Sequence, residues 1–360
     1  MDALIDKIRR GDRRSLARAM SLADKAGQEA QALKDRLRRS TGNVPWWGFT
    51  GPPGVGKSTL IDTLLGMLRQ RGCRVGVVAV DPTSPVSDGA LLGDRVRMMR
   101  HAVDEEVFIR SLATHRREGG LSDATLHCAR LLELAGYDPV LIETVGVGQN
   151  EVDVAGVTDI CVVIVGAGYG DDIQLTKAGL LEIADILVVN KCDLPDANRL
   201  LNEVREQLVL SSSATSGQAV YSDLTKSPGG TPDRKQASPG CTPKGMAPEV
   251  VGIEAKSGKD VDHLLEKLLE LDRAARQPQQ RQRHKQTRVL SEIRHSAMLV
   301  CEQALEDRLV APATKELIAG LERGELSLDQ VVRELSVISC QLSVEREPPR
   351  SGGRRLRTDG

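Results

Sequence analysis

Aromatic residues are nearly missing: two Trp, three Tyr and two Phe make up 2% of the 360 residues. Surfaces that stack the bases of single-stranded nucleic acid need such rings. Charge of one sign is lacking too. Lys and Arg number 49 against 50 Asp and Glu, a formal net charge of −1, so there is no electrostatic footprint of a nucleic-acid partner. No run approaches the roughly 18 consecutive apolar residues of a membrane span. The seven cysteines (73, 128, 161, 192, 241, 301 and 340) form no C-x-x-C and have no paired histidines nearby. That argues against a zinc or redox site and for a reducing, cytoplasmic setting, with most thiols acting as small buried hydrophobes. The start, Met1 to Arg10, is amphipathic and basic. However, Asp2, Asp6 and Asp12 are wrong for a transit peptide, and no secretory apolar region follows.

What the chain has is a phosphate loop. Gly51-Pro52-Pro53-Gly54-Val55-Gly56-Lys57-Ser58-Thr59 fits G-x-x-x-x-G-K-[ST]. Glycines let the backbone curl so that successive N–H groups face a polyphosphate. Lys57 adds a cation for the β- and γ-phosphates, and the Ser58 hydroxyl is a ligand for Mg²⁺. A chance match in a chain of this length is on the order of a per cent. The context lowers that further: Trp46, Trp47 and Phe49 lead in as a buried strand. Leu60, Ile61, Leu64, Leu65 and Leu68 then mark one face of a helix that Gly72 ends.

Short apolar runs at Val75–Val80, Val140–Ile142, Ile160–Val165 and Ile186–Val189 are separated by segments that read as helical. The pattern predicts an α/β fold, a mainly parallel sheet with helices on both faces. Charged amphipathic helices are expected over residues 1–42, before a nucleotide-binding domain over 43–275. Ser211 to Pro248 is rich in Ser, Gly, Thr and Pro and reads as a flexible insertion. Val250–Ile253 reads as a last strand with a helix at Val261–Leu271. Residues 276–345 read as a helical C-terminal extension and 346–360 as a disordered tail.

Polar clusters follow the apolar runs, at the sheet edge where ligands of open α/β folds bind. Asn190-Lys191-Cys192-Asp193 fits N-K-x-D. Its Asp193 carboxylate can accept from guanine N1–H and the 2-amino group, donors adenine does not present there, so GTP and GDP are the expected ligands. Lys191 is expected to cover a ring face and Asn190 to brace the loops. Glu254-Ala255-Lys256 falls where a backbone N–H meets guanine O6, although Glu254 is larger than the usual first residue. Glu143-Thr144-Val145-Gly146 takes the place of a γ-phosphate sensor, with the Gly146 N–H on the phosphate. Glu143 either reaches Mg²⁺ through water or polarises the attacking water. Asp81 and Asp94 are candidate metal-side carboxylates. Gly166 to Gly170 is spaced wrongly for a dinucleotide fingerprint and reads as a flexible loop.

Together with Val80-Asp81-Pro82-Thr83-Ser84, the stretches Gly89 to Met98 and Glu143 to Gln149 resemble the MeaB/ArgK-type GTPases, the methylmalonyl-CoA mutase-associated group. The resemblance runs from about Leu4 to Ser343, outside the 211–248 stretch. It implies a GTPase that escorts an adenosylcobalamin-dependent acyl-CoA mutase and gates cofactor loading, protection or reactivation. It further implies Lys57, Glu143 and Asp94 as catalytic groups, and Ser58, Asp81, Asp94 and Glu143 as metal-side groups. A mobile switch is implied over Gly166–Lys177, and a C-terminal helical homodimer contact. His115 to Glu118 departs from the smaller residues of the family pattern. A metal-insertion GTPase, and a kinase or ATPase linked to amino-acid transport, are the alternatives. The first lacks its Cys/His clusters here; the second is opposed by Asn190–Asp193.

Overall fold

A computed structural model describes residues 1–25, 27–39, 44–82, 99–101, 103–114, 123–144, 150–167, 180–215 and 248–335. The chain divides into two compact units, Met1–Ser291 and Glu292–Gly360.

The first unit is built on a seven-stranded sheet in the order β3-β2-β4-β1-β5-β6-β7. The strands are β1 (Trp46–Thr50), β2 (Val75–Pro82), β3 (Val107–Thr114), β4 (Val140–Glu143), β5 (Ile160–Gly166), β6 (Ile186–Asn190) and β7 (Glu249–Gly252). All six pairings are parallel. Successive side chains of a strand point to opposite faces, and both faces here are covered, so the strands read as unbroken apolar runs. Trp46 and Trp47 divide accordingly. Trp46 packs with Val78, Ile142 and Val163 on one face, and Trp47 with Val77, Leu141 and Val162 on the other.

The N-terminal helices α1 (Asp2–Arg9), α2 (Arg13–Ala23) and α3 (Gln28–Arg39) bury Ile5, Ile8, Leu16, Met20 and Leu33 in the Trp46 cluster. Asp12 caps α2 by accepting from the N–H groups of Arg14 and Ser15. The Trp47 face is covered by α4 (Lys57–Gln70) and, after β7, by a helix over Val261–Ala275 that buries Leu264, Leu265 and Leu268. The predicted stripe of α4 is fully buried, and Gly72 lies just past its end at φ 79°.

Two expectations need correction. The stretch between β2 and β4, read as helical, contains the edge strand β3. Arg110 and Ser111 interrupt its apolar run, because a strand at the rim of a sheet is less covered than a central one. The other concerns Ser211, the expected start of the insertion. The helix over Ala197–Thr215 continues through it; Ser and Thr lower helix propensity without forbidding the helix, and the first strong breaker is Gly217. The rest of that insertion lies outside the described residues.

The N-terminal rim of the sheet is held by charge. Asp159 accepts from the backbone N–H of Trp46 at 2.6 Å, pairs with His284 Nδ1 at 2.6 Å and also pairs with Arg288. Arg288 stacks over the Trp46 ring, 3.7 Å from its centroid. Burial pushes the Asp159 carboxyl up, but Arg288, His284 and the Trp46 N–H together hold it below the ordinary carboxylate value. Nearby, Asp272 accepts from Trp47 Nε1 at 3.0 Å and from Arg276, which also grips Asp138 with both terminal nitrogens.

The second unit holds the later part of the helix Pro278–Leu309, then Pro312–Glu322, whose N-terminal Pro suits a first helical turn. Within this unit Arg308 donates to Leu335 O at 2.9 Å and Thr314 Oγ1 to Arg308 O at 2.6 Å.

Candidate functional site

The C-terminal rim of the same sheet gathers the expected nucleotide residues. Between β1 and α4 the chain turns through Gly51, Gly54 and Gly56, all at positive φ. Two of these glycines are required by their surroundings. A Cβ on Gly51 would stand 2.0 Å from Ile164 O, and one on Gly56 would stand 2.3 Å from Asn190 Nδ2. Helix α4 then opens at Gly56 without a side-chain cap, and the positive end of its dipole favours an anion there.

Lys57 is 8% exposed, and its ammonium donates to the carbonyls of Gly51 at 2.8 Å and Pro52 at 3.0 Å. A charge this buried is held by the carbonyls of its own loop. Ser58 Oγ donates to Glu143 Oε1 at 2.7 Å, and both residues are buried. Of the two roles foreseen for Glu143, this contact puts its carboxylate beside the hydroxyl expected to face a metal. A hydroxyl and a carboxylate at such spacing are the oxygen donors a hard divalent cation prefers, so the donor set fits Mg²⁺. Thr144 Oγ1 shares a 3.0 Å contact with Thr50 Oγ1, and its N–H donates to Phe49 O, which fixes the start of the sensor segment against β1.

Asn190 joins the two halves of the site. Its Nδ2 donates to Val55 O in the phosphate loop at 2.8 Å, and its Oδ1 accepts from the Ala255 N–H at 2.9 Å. Lys191, the next residue, takes φ 65°, a strained conformation outside glycine. It turns the chain so that Asp193 is exposed on the rim. Ala255 is buried, whereas Glu254 pairs with Lys259 at 3.0 Å and accepts from Ser257 Oγ at 3.0 Å. The large residue at position 254 is thus accommodated by facing its own loop. Because Asn190 takes the Ala255 N–H, Lys256, exposed on the same loop, is left as the outward residue of the expected O6 contact.

Asp81 lies at the end of β2, in register with Ala113. Asp94, Gly146, His115 to Glu118 and most of the Gly166–Lys177 switch lie outside the described residues. Sequence reasoning did not foresee Thr63, whose hydroxyl reaches Ala255 O, or the Thr50–Thr144 pair; single hydroxyls carry no motif. Of the five described cysteines only Cys128 and Cys161 are buried, with burial pushing the Cys128 thiol up to about 12. Cys73 and Cys192 are half-buried and Cys301 is exposed, so the expectation that most are buried is not met among them.

Residues 16–312 match the family described as Methylmalonyl Co-A mutase-associated GTPase MeaB. The chain belongs to that family. A Pyrococcus horikoshii relative is 50% identical over 198 residues, 55% of this MeaB-family chain and 62% of that protein. GTPase ArgK of Escherichia coli is 43% identical over 193 residues, 52% of this chain and 58% of that one. The mouse protein named methylmalonic aciduria type A homolog, mitochondrial, is 41% identical over 181 residues, 50% of this chain and 43% of its own length. The matched segments thus span less than two thirds of each of these relatives. A crystal structure described as LAO/AO transport system kinase shares 25% identity at a TM-score of 0.62, covering 94% of this chain and 96% of that one.

Proposed function

We propose that this MeaB-family chain hydrolyses GTP and couples the nucleotide cycle to an adenosylcobalamin-dependent acyl-CoA mutase, gating its cofactor loading, protection or reactivation. The observation that carries the nucleotide reading is the Asn190 side chain, bonded at once to the phosphate loop and to the loop after β7. In this reading Lys57, Ser58, Glu143, Asp81, Asp94 and the Gly146 N–H serve the phosphates and their metal. Asn190, Lys191, Asp193 and Glu254–Lys256 serve the base.

Water attacks the γ-phosphorus in line as the bond to the β-phosphate oxygen breaks. Lys57 leaves the carbonyls of Gly51 and Pro52 for the phosphate oxygens, and the opening N–H groups of α4 face the same charge. When bound, Mg²⁺ would supply charge neutralisation at the phosphates; Ser58 and Glu143 would hold it. Unassisted turnover is expected at roughly 10⁻⁴ to 10⁻² s⁻¹ by analogy with isolated GTPases.

The mutase partner is supported by the family description and by the name of the mouse relative. A homodimer through the C-terminal extension is supported by the exposed Ile293, Val300, Val310 and Leu328 of the second unit. Residues 1–42, 43–275 and 276–345 are taken as N-terminal extension, GTPase domain and dimerisation extension. Among the described residues no helix is long and apolar enough to cross a membrane; we place the chain in the cytoplasm. The experiment is co-elution with a purified methylmalonyl-CoA mutase in the presence of GDP, of a non-hydrolysable GTP analogue and of no nucleotide. Nucleotide-dependent co-elution with accelerated GTP turnover is expected. Equal absence of binding in all three states contradicts the partner reading while leaving GTP hydrolysis to stand or fall on its own assay.

A further inference from the structure

Beyond the residues that face the nucleotide, the structure closes a ring of hydrogen bonds around the loop after β7. Ala255 is 2% exposed, and Asn190 holds its N–H at 2.9 Å. Its carbonyl accepts from Thr63 Oγ1, on the second turn of α4, at 2.8 Å. The single hydroxyl proton of Thr63 also faces Thr59 O, its own helical neighbour, at 3.1 Å; Ala255 O is the nearer acceptor. Asn190 returns the circuit to Val55 at 2.8 Å. Both polar groups of Ala255 are therefore fixed, one to the strand that ends in N-K-x-D and one to the helix that opens at the phosphates.

The loop carrying Ala255 is stiff in itself. Glu254 N donates to Lys259 O at 3.1 Å, Gly258 N to Glu254 O at 2.9 Å, and Lys259 Nζ to Glu254 Oε1 at 3.0 Å. A stiff turn moves as a body, so its position over a base depends on its few attachments to neighbouring elements. Thr63 is such an attachment, and it comes from the phosphate helix itself.

We infer that Thr63 is a positioning residue for purine selectivity: its hydroxyl seats the base loop on the phosphate helix and so aligns the backbone N–H of Lys256 with guanine O6. The inference rests on the guanine-nucleotide reading above. Among the described residues the Thr63 hydroxyl bonds to Thr59 O and Ala255 O, not to the Gly51–Gly56 turn or the N-K-x-D segment. Its removal is expected to act on discrimination between bases and to leave the phosphate cradle unchanged.

The test compares GDP, ADP and inorganic tripolyphosphate as competitors for a fluorescent GDP analogue on the full chain. Thr63→Val keeps the shape and removes the hydroxyl. It is expected to lower the GDP-over-ADP affinity ratio by about five- to tenfold, the worth of one hydrogen bond. Competition by tripolyphosphate should stay within about twofold. Thr63→Ser, which keeps the hydroxyl, is expected to restore the ratio. If the valine variant does not fold, Thr63→Ala removes the same group and gives the same readout. An unchanged ratio in the hydroxyl-less variant overturns the inference, as does a parallel loss for all three competitors, which would make Thr63 a general structural support. Wild-type protein that binds ADP as tightly as GDP instead sinks the guanine reading on which the inference stands.

Discussion

The two rims of the one sheet both bury charge, and they use it differently. At the N-terminal rim the charges answer each other: Asp159 is met by His284, Arg288 and the Trp46 N–H, and Asp272 by Arg276 and Trp47. At the C-terminal rim Lys57 is held by carbonyls of its own loop, and Ser58 faces a carboxylate. Gly51 and Gly56 there leave no room for a Cβ. The first arrangement is complete without a ligand. In the function proposed above, the second is built from groups that would change partners when a polyphosphate arrives, so buried charge would mark a site only where a ligand is needed to neutralise it.

That contrast breaks if mutations at the two rims give the same kind of loss. Asp159→Ala should destabilise the fold by about 3–5 kcal/mol, because Arg288 is left buried without its carboxylate. Denaturant titration measures this, and GDP affinity of the folded protein should stay within about twofold. Lys57→Ala should do the reverse: GTP turnover falls by about 10²- to 10³-fold while the unfolding midpoint changes little. Retained wild-type turnover in this variant would remove Lys57 from the site. Glu143→Gln keeps an acceptor for Ser58 but loses the charge. The Mg²⁺ concentration for half-maximal turnover should rise about tenfold, and an unchanged Mg²⁺ requirement would take Glu143 off the metal side.

The smallest expected effect sharpens the comparison through pH. The folded Asp159 carboxyl lies below its ordinary value. Its stabilisation is therefore present above the unfolded value of about 3.9 and is lost as pH falls through the lower folded value. Asp159→Asn should flatten that acid limb of stability in denaturant titrations from pH 6 to 2. An identical acid limb in both proteins would mean that Asp159 does not carry it.

Much of this was readable in the residues, for physical reasons. The central strands are covered on both faces and so spell themselves as apolar runs. The phosphate loop needs glycines and a lysine at fixed spacing, and N-K-x-D needs its carboxylate. What was not readable lacks a spacing rule. Edge strand β3 mixes Arg110 and Ser111 into its apolar run, and so resembles a helical connection. Thr63 and Ala255 lie on separate elements and meet only once the sheet brings α4 beside the loop after β7. Asp159 meets His284 and Arg288 in the same way, across most of the first unit. The accommodation of Glu254 depends on Lys259 and Ser257 folding back onto it, which no motif encodes.

The most direct measurement is the affinity of the wild-type chain and of Asp193→Asn for GDP, ADP and xanthosine diphosphate. In the proposed slot the carboxylate at 193 would pair with the two donors of guanine, whereas a carboxamide can pair one donor and one acceptor, as xanthine offers. Wild-type protein should prefer GDP over both competitors, and the variant should switch to xanthosine diphosphate. Equal wild-type affinity for ADP and GDP, or a variant whose preference does not move, would refute the guanine slot.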